Sequence, residues 1–479
     1  MGGLSRRAYI LNKIRQEESK PILAIDAGAM LFPQPYVPPT QLPAKSAQAE
    51  GIMEGIAKMK YDAVGLAPQD LSAGTEFLLN QPPDLKLPWL SMNIFTKDDQ
   101  QLLFTPYVIK SVGELSVGIL GLSQHIAKGA SRQQGVPDYQ TKAWEKTLSN
   151  TLEAINGKTD LNILLSSMPE NINRQIAKSN NEIHIIIQSG SSATNKNPMI
   201  YGNALIAQVG SRGKHIGRLD IQWQSSRRWR HDKTIEEKQT KERLDRVNWQ
   251  IGRLKRRHTT RLIANNLEYK KLVKEKNLLT DRLRELKVQT QPSTEQYSSY
   301  KNNFISLAVS LPEDPEIRDI VLKTKLAVNS ANKNAMAKAT TPTGQRPFAH
   351  LAGWKVCQTC HKPQTDFWLK TRHAMAWDTL VKAKQQFNPE CLICHVTLPT
   401  YDQKKVTDQN LLANLKEEFK TISCETCHGP ARKHAQQPDH HQPRKPDEQV
   451  CLTCHTPERD DNFIFSEKLK RIRCPAAGH

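Results

Sequence analysis

The sequence predicts a multidomain protein: an α/β domain, then a long basic helical hairpin, then a small, mainly α-helical module. The length of 479 residues exceeds what a single hydrophobic core organises, so two or three domains are expected. Short apolar runs alternate with helical stretches in the first part, and a proline-free segment with helical periodicity follows. Four Cys-x-x-Cys-His motifs are confined to the last part and mark it as a separate unit.

Residues 1–223 carry the α/β pattern. Buried strands are predicted at 21–25, 115–120, 161–165 and 183–187, where short apolar runs stand between helical stretches. This alternation is typical of an α/β sandwich or a doubly wound sheet.

Residues 224–291 are predicted to form the helical hairpin. Apolar side chains recur at steps of three and four, as in Leu244, Val247, Ile251 and Leu254. Two helices or one interrupted helix fit this pattern. The stretch 227–288 holds 20 Lys/Arg and 9 Asp/Glu, a net charge of 20 − 9 = +11. The solvated face of a coiled coil explains such a charge better than a nucleic-acid site.

Residues 292–345 read as a connector with one helix at 315–332, and residues 346–479 as the C-terminal module. The clearest helix of the module is predicted at 366–387. The module has only about 130 residues, too few for a large hydrophobic core of its own. Groups bound at the four motifs are therefore expected to form much of the core of the module.

Every Cys-x-x-Cys pair in the chain is followed directly by a histidine. The motifs are Cys357/Cys360/His361, Cys391/Cys394/His395, Cys424/Cys427/His428 and Cys451/Cys454/His455. Two thiols at this spacing can each add to a vinyl group of one haem, and the adjacent histidine then binds the iron. Structural zinc also uses Cys-x-x-Cys pairs but needs no histidine after each of them. The motifs therefore predict four covalently bound haems c.

Six other histidines in this region are candidates for the opposite side of the irons. They are His350, His373, His434, His440, His441 and His479. Met375 is the one methionine after residue 350, so mostly bis-histidine irons are expected. Such irons are low-spin, have rather low potentials and suit electron transfer. Because His440 and His441 are adjacent, at most one of them is expected to face an iron.

Two stretches of the module resemble the nitrification-type tetraheme cytochrome c family. They are Trp-Leu-Lys-Thr-Arg-His-Ala at 368–374 and Ser-Cys-Glu-Thr-Cys-His-Gly-Pro at 423–430. With the four motifs, the resemblance covers nearly all of 350–455. It implies a tetraheme module that carries electrons.

The resemblance also implies which histidines share an iron. It pairs His434 with His361, His373 with His455, and a histidine near the C-terminus, for which His479 is the candidate, with His428. The haem on His395 can lack a distal ligand in this family, and His350 is the candidate for that place. An open iron there would be a site for a small ligand. Cys474 is expected to be a free thiol, with thiolate ligation as the alternative.

The first 220 residues resemble the metallophosphatase domain of the 5′-nucleotidase family, whose two-metal centre hydrolyses phosphate esters. The resemblance rests on residues 2–7, 24–28, 61–64 and 210–220. It implies an α/β sandwich that presents metal ligands at the ends of its strands.

Most of the family's metal ligands are replaced in this chain. Its Asp-x-Gly-Asp stands as Asp-Ala-Gly-Ala at 26–29, its Gly-Asn-His-Glu as Ala-Pro-Gln-Asp at 67–70, its Leu-Ser-His as Leu-Ser-Ser at 165–167, and its Gly-His-x-His as Ser-Gly-Ser-Ser at 189–192. Asp26 and Asn93 alone cannot hold two metal ions. We therefore expect no phosphatase activity and a role as scaffold or docking domain.

Covalent haem attachment implies export to the periplasm or the cell exterior. No signal peptide is visible at the start of the chain, so we expect the export signal and the family's first strand to lie upstream of Met1. No run of 18 apolar residues is present. Membrane association is therefore expected only through that missing N-terminus or through partners.

Electron transfer through the four haems is the leading hypothesis. The net charge of +20, which haem propionates would reduce, favours acidic redox partners, and no nucleic acid is expected. Residues 224–291 could support self-assembly or a multiprotein complex. One alternative is a haem oxidoreductase that acts on a small nitrogen, oxygen or sulfur species at an open haem on His395. Another is a structural subunit of a haem filament or respiratory complex.

Overall fold

A computed structural model of the chain describes most of the sequence. The described residues are 3–83, 85–98, 100–125, 139–190, 194–211, 213–224, 228–229, 233–257, 266–286, 297–338, 348–398, 415–456, 459–460 and 463–475. They form an α/β domain, a pair of long helices and a group of short helices. Within these ranges no helix is both long enough and apolar enough to cross a membrane.

A six-stranded mixed sheet is the centre of the first domain. In spatial order its strands are β10 (Lys196–Tyr201), β11 (Ala204–Gln208), β9 (Ile185–Gln188), β8 (Leu161–Ser166), β6 (Leu115–Leu122) and β5 (Tyr107–Val112). The inner four strands are parallel, whereas β5 and β10 pair antiparallel at the two edges. Every residue of β8 is buried, as expected where helices or another sheet cover both faces. The strands predicted at 115–120, 161–165 and 183–187 are confirmed.

A smaller parallel sheet packs face to face against the large one. Its strands are β1 (Ile25–Asp26), β2 (Ala63–Gly65) and β3 (Trp89–Leu90), and β4 (Ile94–Thr96) with β7 (Tyr139–Thr141) forms a ribbon beside them. Leu90 of the small sheet belongs to the same buried cluster as Ile119 and Leu165 of the large one. Gly121 permits this approach, since a Cβ there would lie 2.2 Å from the Leu90 carbonyl oxygen. The strand predicted at 21–25 is mostly wrong, because β1 begins at Ile25 and residues 21–24 do not join the sheet.

Helices cover the outer faces of both sheets. They are α1 (Leu4–Glu17), α2 (Leu42–Lys58) and α8 (Pro315–Lys338) over the small sheet, α4 (Trp144–Ile155) and α5 (Glu170–Ser179) over the large one, and the short α3 (Thr75–Leu79). The layers stack helix, sheet, sheet and helix. Of the two architectures that the sequence left open, the structure adopts the sandwich.

The predicted connector packs as part of the first domain. It contains β13 (Ser299–Ser306), which pairs along its whole length with β12 (His215–Gln222). Helix α8, predicted at 315–332, continues to Lys338 and lies close against α2. Gly51 of α2 makes the close packing feasible, since a Cβ at this position would fall 1.9 Å from Oγ1 of Thr324.

The basic segment forms two helices, α6 (Lys233–Arg257) and α7 (Leu267–Leu286), which are inserted between β12 and β13. Val247 and Ile251 on the apolar stripe of α6 are buried. Nη2 of Arg243 pairs with Oε1 of Glu275 across the two helices at 2.7 Å. Two helices that contact each other, rather than one interrupted helix, describe this segment.

The C-terminal module consists of short helices around a small apolar cluster. They are α9 (Trp354–Gln358), α10 (Lys362–Trp368), α11 (Ala376–Lys382), α12 (Pro389–Leu392), α13 (Cys424–His428), α14 (Arg432–Gln436), α15 (Glu448–Leu452) and α16 (Phe465–Ile472). The single helix predicted at 366–387 is wrong. Thr421 Oγ1 donates to the carbonyl oxygens of His373 and Ala374, and these tertiary bonds replace the helical ones at the break.

Candidate haem sites

Each Cys-x-x-Cys-His motif forms one helical turn. Residues three and four apart lie on the same side of such a turn, so both thiols and the histidine ring of a motif lie together. The backbone N–H of His361 donates to the carbonyl of Cys357 at 2.9 Å, and that of His455 donates to Cys451 at 2.9 Å. All nine cysteines lie in the described ranges, and none forms a disulfide. The eight motif thiols are therefore available for covalent attachment.

Cys360 is the motif cysteine whose environment differs from that of the others. It is exposed, whereas the other seven motif cysteines are partly buried. It remains a predicted attachment position, and the expectation that the bound haems form much of the core of the module stays a prediction.

Several histidines of the module have one ring nitrogen held by a hydrogen bond. Nδ1 lies 2.8 Å from the Ala376 carbonyl oxygen in His395, 3.2 Å from that of Arg444 in His428, 2.9 Å from Oδ2 of Asp460 in His455, and 2.7 Å from the His441 carbonyl oxygen in His434. An acceptor at this position makes Nδ1 the donor and leaves the lone pair on Nε2. Metal-binding histidines in proteins are oriented in this way.

Two pairs of histidine rings lie about 6 Å apart, centroid to centroid. The ring centroids of His361 and His434 are 6.0 Å apart, and those of His373 and His455 are 6.2 Å apart. An imidazole nitrogen binds a metal at about 2 Å and lies about 1 Å from its ring centroid, so two rings on one ion have centroids about 6 Å apart. Burial, and then the nearby His455, lower the pKa of His373, which favours the neutral imidazole that a metal needs.

The other candidate ligands are not brought into such pairs. His350 is exposed, and within the described ranges its ring contacts no other histidine ring. Its backbone carbonyl accepts a hydrogen bond from Arg432 instead. His479 lies outside the described residues. The ring of His395 likewise faces no second histidine in the part of the module that the structure describes.

Thiols of different motifs contact each other. The neighbouring thiols of Cys357 and Cys424 interact, which raises the pKa of Cys357 and lowers that of Cys424. The nearby thiol of Cys454 likewise lowers the pKa of Cys394 to about 7. The first motif therefore lies beside the third, and the second beside the fourth.

Glu425, in the middle of the third motif, is a residue that sequence reasoning did not single out. Its side chain is buried, and its carboxylate accepts three backbone hydrogen bonds of 2.8 Å, from Ala352, Gly353 and Ala431. Gly353 leads into the first motif, and Ala431 precedes the helix of His434. One buried carboxylate therefore fixes three segments that carry ligands, and its only signal in the sequence is its place between two cysteines.

The described side chains do not gather in the way a zinc or di-metal site requires. Within the described ranges, no group of three or more His, Cys, Asp or Glu side chains is arranged to hold a metal ion. This applies to the Cys-x-x-Cys motifs. It applies equally to the strand ends of the first domain.

Polar side chains at those strand ends form hydrogen bonds within the protein, mostly with backbone groups. The Asp70 carboxylate, fully buried, accepts backbone N–H bonds from Ala29, Met30, Leu31 and Ala67 at 2.7–3.0 Å. Burial raises its pKa to about 6, against the effect of these donors. Asn93 is bonded in the same way to Ser91 and Ser123. The hydrogen-bonding capacity of Asp70 and Asn93 is therefore used within the protein itself.

Comparison with known proteins finds a different similarity for each of the two parts of the chain. Residues 356–429 match the family described as cytochrome c554 and c-prime. The C-terminal module is cytochrome c554-like. Cytochrome c-554 of Nitrosomonas europaea is 31% identical over 115 residues, which cover 20% of this chain and 47% of that protein. This part of the chain, which contains the first three Cys-x-x-Cys-His motifs, is therefore similar to c-type cytochromes.

The first domain is similar to the 5′-nucleotidase of Vibrio parahaemolyticus, with 25% identity over 122 residues. The match covers 25% of this chain and 21% of that protein. Among solved structures, a 5′-nucleotidase precursor from Thermus thermophilus superposes with a TM-score of 0.46 at 15% identity, over 78% of this chain and 62% of that one. The chain thus spans about half of the cytochrome c-554 and about a fifth of the V. parahaemolyticus enzyme.

Proposed function

We propose that this protein is an electron-transfer cytochrome with four covalently bound haems c on a phosphatase-like scaffold that has lost its catalytic metals. The observation that carries the proposal is the spacing of about 6 Å in the ring pairs His361–His434 and His373–His455. It coincides with the Nδ1 hydrogen bonds that leave Nε2 free for a metal. Bound haem c supplies one-electron transfer at an iron whose potential the protein sets.

The residues of the chain divide this work. The eight motif thiols attach the four macrocycles, and His361, His395, His428 and His455 are the proximal ligands. His434 and His373 are the distal ligands on the first and fourth haems, and His479 is the candidate for the third. The thiol contacts Cys357–Cys424 and Cys394–Cys454 support short distances between the first and third haems and between the second and fourth.

The first domain serves as a scaffold or docking surface in this proposal. At the strand ends, Asp70 accepts hydrogen bonds from four backbone N–H groups, and Asn93 is hydrogen-bonded to two serines. These side chains therefore already have partners within the protein. Nη1 of Arg7 lies 3.9 Å from Oδ2 of Asp26, so a cation of the protein itself stands beside this carboxylate. Such a site has neither the number nor the geometry of ligands for two metal ions.

Partners and location follow from charge and cofactor chemistry. The basic excess of 20 charges favours an acidic redox partner, and α6 and α7 provide a long basic surface for it or for assembly. No nucleic acid is part of the proposal. Thioether attachment takes place outside the cytoplasm, so we place the protein in the periplasm or at the cell exterior.

The test is haem content and spin state of the oxidised holoprotein. We expect the pyridine haemochrome assay to give four covalent haems per chain, with metal analysis finding iron and no zinc. Electron paramagnetic resonance should show mainly low-spin ferric signals, because paired histidines impose a strong ligand field. Fewer than four haems, or hydrolysis of a phosphate ester with added Mn²⁺, would contradict the proposal.

A second candidate function arises at His395. Within the described ranges its ring faces no other histidine, whereas His361 and His455 each do. An open iron at this position would allow a small nitrogen, oxygen or sulfur species to bind and react. A high-spin signal for one haem in four, which disappears when nitric oxide or cyanide is added, would favour this enzyme over a pure carrier.

Asp460 offers a prediction about one haem alone. Its carboxylate accepts the Nδ1 proton of His455 at 2.9 Å and increases the electron donation of this ligand. Asp460→Asn keeps an acceptor oxygen but removes the charge. We expect one of the four reduction potentials to rise by about 60 mV, a tenfold change for one electron. Asp439→Asn, at an exposed position of the same module, should leave all four unchanged in a redox titration, and equal shifts in both variants would refute the assignment.

A further inference from the structure

Helix α8 presents a strip of exposed apolar side chains that its own domain does not cover. One face of the helix buries Ile317, Ile320 and Val321 in the core of the first domain. Leu322 and Leu326, one turn apart, remain 50% and 52% exposed. Burial of apolar surface stabilises a protein, so two neighbouring half-exposed leucines on a packed helix form a surface that an apolar occupant would cover.

The strip lies on the face of α8 that turns towards the cytochrome c554-like module. Positions 322, 326, 329, 333 and 336 follow each other at steps of three and four and so share one face of the helix. Oδ1 of Asn329 accepts a hydrogen bond of 3.0 Å from the backbone N–H of Phe387. Lys333 lies over the Phe387 ring, and Met336 packs against the apolar cluster of the module.

The second Cys-x-x-Cys-His motif lies next to this contact. Cys391 and Cys394 pack on the same cluster as Met336. Lys45 of α2 forms an ion pair with Glu390, the residue before Cys391. Burial raises the pKa of the Cys391 thiol, and the charges of Arg459 and Lys325 act against this rise, so Lys325 of α8 is within electrostatic reach of the thiol.

We propose that α8 of the phosphatase-like domain forms one wall of the site of the haem on His395, with Leu322 and Leu326 as its apolar surface. This inference rests on the proposed function, because it needs a haem attached at Cys391 and Cys394. In this arrangement the phosphatase-like domain, although without catalytic metals, shields the haem on His395 from solvent. The occupant has a large apolar face that suits the two leucines, and it is tethered by thiols that pack on the same apolar cluster as Met336 of α8.

The test is a redox titration of full-length holoprotein that carries Leu326→Glu. A carboxylate beside one haem stabilises the ferric form, so one of the four potentials should fall by about 59 mV, the equivalent of a tenfold change for one electron. Leu278→Glu is the matched control, because Leu278 is an exposed leucine of α7, and it should shift none. Leu322→Gln, which changes polarity without charge, should lower the same potential by less.

Each outcome decides the inference. A single shifted potential in both α8 variants, or loss of haem from the tryptic peptide of Cys391 and Cys394 alone, supports the wall. Four bound haems with four unchanged potentials in both variants overturn it and leave the proposed function intact. A wild-type protein with fewer than four covalent haems would overturn the proposed function, and loss of the haem at Cys391 and Cys394 in particular would remove the inference as well.

Discussion

Replacing Glu425 with alanine is expected to destabilise the cytochrome c554-like module by about 3–5 kcal/mol, because three backbone donors lose a charged acceptor in a buried place. The carboxylate holds Gly353, which begins the helix of the first motif, and Ala431, which precedes the helix of His434. Its loss should therefore loosen both ligands of the first haem, as well as the third motif in which Glu425 itself lies.

Guanidinium chloride unfolding of the oxidised holoprotein, followed at the Soret band, measures this effect. Glu425→Gln should be intermediate: Oε1, which accepts from Ala352 and Ala431, can be kept, whereas the bond from Gly353 is lost. Glu417→Ala is the control, since its side chain is 82% exposed and its ion pair with Lys420 is a surface one. A midpoint for Glu425→Ala equal to that of Glu417→Ala would show that the three bonds contribute nothing.

Replacing His434 with alanine is expected to convert one haem in four from low-spin to high-spin. The ring of His434 lies 6.0 Å from that of His361, centroid to centroid, which is the separation of two imidazoles on one iron. Without His434 the ligand field weakens, and the open position should bind carbon monoxide in the reduced protein. The other three haems should keep their spectra, because His434 forms no ring pair with His395, His428 or His455 within the described ranges.

His440→Ala is the matched control, six residues away in the same part of the module and exposed. It should leave the electron paramagnetic resonance spectrum unchanged and bind no additional carbon monoxide. A high-spin signal in the His440 variant and none in the His434 variant would mean that the first haem takes its distal ligand from another residue. Magnetic circular dichroism in the near infrared, which reports axial ligands, would then identify the ligand.

Much of the architecture can be predicted from local patterns in the sequence. Leu161–Ser166 is a strand because its apolar side chains suit a position buried on both faces, and the central parallel strand of a sandwich provides one. The four motifs are recognisable because the attachment chemistry acts within one helical turn. The break in the helix predicted at 366–387 was not accessible in this way, since it results from bonds to Thr421, about fifty residues further along the chain.

Residue types and short spacings predicted an α/β part followed by a haem module, whereas the prediction that the metal ligands of the first domain are lost came from its resemblance to the 5′-nucleotidase family. Folding then brought His361 to His434, and Glu425 to the backbone of Ala352 and Gly353 more than seventy residues earlier in the chain. It also left Cys360 exposed. Helix α8 packs in the core of the first domain and, through Asn329, bonds to Phe387 of the C-terminal module. Such arrangements depend on packing and hydrogen bonds between residues far apart in the chain, which no local pattern encodes.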